Sequence, residues 1–91
     1  MAIYLLIALG QSAQTIDVTV TTKVTADNYY KIEPGKWLLN SAATTSKAVA
    51  ESLGLPNGTE TYFITPVRGY YGRTQPAAWE WLAAQSAKTN A

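Results

Sequence analysis

The hexapeptide Arg68-Gly69-Tyr70-Tyr71-Gly72-Arg73 sets two arginines around two glycines, which in turn flank two tyrosines. Arginine supplies forked donors for phosphate or carboxylate, tyrosine rings offer stacking surface, and glycine lets the backbone approach a ligand closely. Arg68, Tyr70, Tyr71 and Arg73 are therefore the candidate ligand-binding residues. One partner that suits them is a single-stranded nucleic acid, whose binders combine aromatic platforms with local positive charge. The alternative is a plain strand-to-helix loop, with tyrosines packed on the core and arginines in water. Lys31, Lys36 and Lys47 extend the patch if the fold brings them near.

Catalytic chemistry is harder to place. The chain has no histidine and no cysteine, which excludes disulfides, thiolate nucleophiles, imidazole bases and the usual transition-metal ligands. Metal-assisted hydrolysis needs converging carboxylates. Asp17, Asp27, Glu33, Glu51, Glu60 and Glu80 are instead scattered singly, as solvated surface charges would be. No catalytic residue, metal site or cofactor is assigned, and the expectation is a non-enzymatic domain.

Aromatic residues suggest association. Tyr29, Tyr30, Trp37, Tyr62, Trp79 and Trp81 are a large ring content for a chain of 91 residues. Large rings dominate interface energetics. Trp37 and Trp79 are expected inside, and Trp81, Tyr62 and Tyr29 are the candidate interface residues of a homodimer or of a contact with another protein. A sheet edge carrying Tyr62 to Val67 offers a further route by strand addition.

Length and composition bound these readings. Ninety-one residues at 47% apolar content fit a single domain spanning 1–91. The net charge of +1 gives no whole-surface field for polyanions or anionic membranes, so any such site is local. Charged residues are only 14% of the chain, against about 25% in an average domain, which favours a surface that meets a partner. The apolar run Ile3 to Leu9 follows no lysine or arginine and is far shorter than the roughly 20 residues of a membrane helix. It reads as a buried strand, and the chain as a cytoplasmic protein without a membrane partner.

The elements that must position the loop follow from local pattern. Ala2 to Leu9 is a strand covered on both faces, ended by Gly10. Residues 15–24 carry two periods at once: alternation of Ile16, Val18, Val20, Thr22 and Val24 favours a strand, whereas Ile16, Val20 and Val24 also recur every fourth residue. Ser12 or Thr15 can cap a helix there, with Asp17 in its first turn. Asn28 to Glu33 and Lys36 to Asn40 form a hairpin about Pro34-Gly35. A helix capped by Thr44, Thr45 or Ser46 ends at Gly54, with Leu55 and Pro56 completing the stop. Thr61 to Val67 is a strand that Pro66 confines to an edge or end. Thr74 or Gln75 caps a last helix with Pro76 in its first turn, Trp79, Leu82 and Ala83 on its packed face and Trp81 turned elsewhere. Composition predicts that 86–91 form a polar tail that frays.

A helix over 15–24 turns this order into a ferredoxin-like βαββαβ sandwich, α+β in class, with an additional C-terminal helix. Ala2-Ile3-Tyr4-Leu5-Leu6-Ile7, Lys36-Trp37-Leu38-Leu39-Asn40-Ser41 with its Thr-capped helix, and the closing strand near Phe63 resemble the small ferredoxin-like family that includes SinR-like and VapD-type proteins and the small CRISPR-adaptation nuclease. The resemblance implies dimerisation through the sheets. It also implies, for nuclease members, an aspartate at the end of the first strand. Ala8, Leu9 and Gly10 stand there in this chain, which argues against metal-dependent cleavage and leaves nucleic-acid binding or a vestigial nuclease as the second reading.

Overall fold

The computed structural model describes residues 2–89. Four strands and three α-helices follow one another as β1 (Ala2–Ala8), α1 (Ala13–Lys23), β2 (Tyr29–Glu33), β3 (Lys36–Ser41), α2 (Ser46–Ser52), β4 (Tyr62–Pro66) and α3 (Pro76–Thr89). The strands make one sheet in the order β2-β3-β1-β4 with every pairing antiparallel. The class is α+β.

Alternation along the strands sorts the core. Tyr4 and Leu6 of β1, Trp37 and Leu39 of β3, and Ile64 of β4 face one side, where Ile16 and Val20 of α1, Val49 of α2 and Leu53 just after it close over them. Those two helices supply one layer, and burial of this set is the main cohesive term in the fold. Ile3, Leu5 and Ile7 point to the other side with Leu38 and Asn40. Among the described residues α3 is the one helix there, with the 67–75 loop beside it, and Ile3, Leu5 and Ile7 remain half-buried.

The ambiguous segment is a helix. β-Branched composition weakly favoured extension, but a chain leaving β1 must return to start β2 in the same direction, and a helix makes that crossing while placing Ile16 and Val20, four apart, on the core. Asp17 lies past the first turn, not within it. Ser12 is the N-cap residue without a capping side chain: its Oγ accepts instead from the Thr61 backbone N–H, tying the start of α1 to β4.

The hairpin turns at Pro34-Gly35, with Gly35 at φ 81°. Asn28 ends a 3-10 turn ahead of β2 and is not part of the strand. Thr45 caps α2 by accepting from the Ala48 N–H at 3.0 Å. Gly54 at φ 73° stops the chain after that helix, and Leu55 drops into the core. β4 is an edge strand with Pro66 as its last residue, where a missing N–H removes no ladder bond.

The packed face of α3 differs from the expected one. Ala78, Leu82 and Gln85 are buried, whereas Ala83 is exposed and Trp79 and Trp81 are half-exposed. A line with a small residue and a leucine lets the helix sit close to the sheet, and the indoles flank it. The predicted tail is helical through Thr89, while Asn90 and Ala91 lie outside the described residues. No helix among the described residues is long and apolar enough to cross a membrane.

Candidate functional site

The Arg68–Arg73 loop begins where β4 cannot continue. After Pro66, the Val67 N–H donates to Ile3 O at 2.8 Å, which fixes the root of the loop to the centre of the sheet. Residues 67–75 then have no regular structure until Pro76 opens α3.

Within that stretch the two tyrosines behave differently. Tyr70 stacks on Trp79 of α3 with ring centres 5.7 Å apart and planes 19° from parallel. Tyr71 is fully exposed, with no ring or hydrogen-bond partner among the described residues. Arg68 and Arg73 are exposed as well, and neither has an ion-pair partner among the described residues. Gly69 and Gly72 are required by neither crowding nor backbone: a Cβ at either would meet nothing within 4 Å, and neither has a φ in the left-handed range.

Two clefts flank this loop and share Pro66, Val67 and Tyr70 as a wall. One is a groove of about 540 Å³ between the loop and α3, floored by Leu5, Ile32 and Leu38 of the second sheet face and walled by Trp79, with Arg73 at its rim. The other, of about 660 Å³, lies at the strand ends and is lined by Arg68 and by Thr44, Thr45 and Ser46. No carboxylate among the described residues lines either cleft. Such an arrangement can stack a planar ring and hold an anion with charge-assisted hydrogen bonds.

Arg68, Tyr70, Tyr71 and Arg73 are thus divided between the two clefts, Arg68 on one, Tyr71 and Arg73 on the other and Tyr70 on both, and the three candidate interface residues do not gather on one surface. Tyr29 starts β2 and stands edge-on to Trp37 at 5.2 Å, Tyr62 starts β4 at the opposite edge of the sheet, and both are half-buried against the core. Trp81 is half-buried beside Tyr30, 6.4 Å away, and its Nε1 is buried without a hydrogen-bond partner among the described residues. Lys31 and Lys36 do not extend the loop patch, since they pair with Asp17 and Glu33.

Asp17 departs from the expected solvated charge. Its Oδ1 accepts from Trp37 Nε1 at 2.7 Å and from the Gly35 N–H at 2.9 Å, and Lys31 Nζ lies 3.4 Å from Oδ2. Burial alone would raise this carboxyl, but the bonds from Trp37 and Gly35 and the nearby ammonium outweigh it and hold its pKa below the ordinary value. Spacing in sequence gave no sign of this role, because the partners sit 18 and 20 residues away across a hairpin. Trp79 was likewise missed as part of the site. Its position eight and nine residues beyond the tyrosines, in the first turn of α3, would have signalled little without the loop's path.

Among the described residues no three acidic side chains gather where a metal ion could be held. No family model, curated protein or solved structure matches the chain.

Proposed function

We propose that this chain is a non-enzymatic binding domain that works as a homodimer and meets its partner through the Arg68–Arg73 loop. The observation that carries the reading is Tyr71, a fully exposed ring between two unpaired arginines, on a loop braced by the Tyr70–Trp79 stack. A ring wholly in water between two cations is suited to stacking on a planar partner and to pairing with its anionic groups. Self-association is supported by the open β4 edge, which carries half-buried Tyr62 and exposed Phe63. The ferredoxin-like arrangement is part of the same reading: the β1-α1-β2-β3-α2-β4 connectivity and the β2-β3-β1-β4 order support it, with α3 as the added helix.

A second reading, single-stranded nucleic acid as the partner, is favoured by one feature, two clefts beside the loop that no carboxylate among the described residues lines. It is in keeping with the resemblance to SinR-like and VapD-type proteins. Fluorescence anisotropy with a mixed-sequence oligonucleotide separates the two. Binding that weakens steeply with salt, and weakens again in Arg68→Ala/Arg73→Ala, supports nucleic acid. No binding at low salt removes that reading and leaves a protein partner. Loop substitutions that change no association of any kind would remove the loop from both.

A further inference from the structure

The two clefts beside the loop differ in chemistry yet share a wall of Pro66, Val67 and Tyr70. Tyr70 lines both: on one side lies the apolar groove with Trp79 and Leu38, on the other the hydroxyl-bearing cleft with Arg68. Thr45 Oγ1 is taken by the Ala48 N–H, but the Thr44 and Ser46 hydroxyls have no hydrogen-bond partner among the described residues. They and the Arg68 guanidinium are donors without acceptors. Beyond the Tyr70 wall, the groove offers a ring-lined slot of about 540 Å³, within the size range of small-ligand sites.

Resting on the reading of the loop as a contact surface, we propose that these clefts form one bipartite site for a nucleoside monophosphate. The base enters the groove between Tyr71 and Trp79, and the phosphate crosses to Arg68 and the Thr44 and Ser46 hydroxyls. Charge complementarity selects this occupant: Arg68 lines one cleft and Arg73 the other, with no carboxylate among the described residues in either lining, so the ligand is an anion, and the apolar floor under a stacked tyrosine asks for a flat, weakly polar body. Inorganic phosphate leaves the groove empty, and a neutral nucleoside leaves the arginines unpaired. Gly69 and Gly72, which neither packing nor φ requires, leave backbone bare where the ligand would lie.

The test is an amide chemical-shift titration of the full chain with adenosine monophosphate, adenosine and inorganic phosphate in turn. Adenosine monophosphate is expected to move the Thr44–Ser46 and Tyr70–Arg73 signals together with a single Kd. Arg68→Ala should weaken it about tenfold while leaving adenosine unchanged, and Tyr71→Ala should weaken both. Both side chains are exposed, so neither change threatens the fold. The proposal is overturned if the nucleotide moves only one of the two segments, if phosphate alone reproduces its effect, or if nothing moves. An oligonucleotide that shifts Tyr70–Arg73 when the mononucleotide shifts nothing overturns the bipartite site and leaves the loop reading standing.

Discussion

Trp37 Nε1 donates to Asp17 Oδ1 across 2.7 Å, so the largest ring in the core is tied to the first helix by a charge-assisted bond. The same oxygen accepts from Gly35 at the hairpin turn, and Gly35 O in turn accepts from the Ala8 N–H at 2.7 Å. One carboxylate thereby joins α1, the β2–β3 turn and the end of β1.

Asp17→Ala removes that junction and leaves the Trp37 N–H buried without an acceptor. A loss of about 2 to 3 kcal/mol is expected in urea unfolding, and Asp17→Asn, which keeps an acceptor, should lose less. The pH dependence has a definite sign. Because the folded pKa lies below the unfolded value of about 3.8, the contribution is fully present above that value and disappears as pH falls through the folded pKa. The gap between wild type and Asp17→Asn should therefore narrow below about pH 4.

Gly35 and Gly54 both have positive φ, but only one is crowded. A Cβ at Gly35 would stand 3.0 Å from Ala13 Cβ and 3.2 Å from Ala8 Cβ, whereas at Gly54 it would meet nothing within 4 Å. Gly54→Ala should cost about 1 kcal/mol from conformation alone, and Gly35→Ala about 2 to 3 kcal/mol with overpacking added. Equal losses in thermal unfolding would contradict the packing at the turn.

Beneath α3, Asn40 Nδ2 donates to Gln85 Oε1 at 2.6 Å and Gln85 Nε2 to Asp27 O at 2.9 Å. Both side chains are buried, at 4% and 2% exposure, and Asn40 Oδ1 has no partner among the described residues. Asn40→Leu alone strands the Gln85 oxygen and should cost about 1 to 3 kcal/mol. Asn40→Leu/Gln85→Leu should recover part of that loss, and a double-mutant cycle measures the coupling.

Gly69→Ala and Gly72→Ala separate folding from function. With open space at both and no left-handed φ, each should leave stability unchanged or raise it by about 0.4 to 1 kcal/mol, chiefly through the unfolded chain. Binding through the loop should weaken in both. A clear loss of stability would show that the loop's conformation needs its glycines.

Much of the fold was legible because local signals agreed with tertiary need. The Thr45 cap, the Gly54 stop followed by Leu55 and Pro56, and the Pro34-Gly35 turn all lie where their chemistry placed them. Residues 15–24 were not settled by their own composition, since β-branched alternation and a fourfold period coexist, and only the need to cross between strands chose the helix. The loop was legible as a cluster of residue types. Its bracing by Trp79 and the clefts on each side of Tyr70 were not, because they depend on how α3 lies across the sheet. The α3 face was misplaced for the same reason: bulk suggested Trp79, but close approach to the sheet favours Ala78.

The reading of this chain as a homodimeric binding domain is met most directly by its mass in solution. Light scattering after size exclusion, run from micromolar to millimolar concentration, should give about twice the chain mass at the upper end, with Phe63→Lys at the open β4 edge shifting the balance to the monomer. A wild-type chain that stays monomeric across the whole range would contradict it.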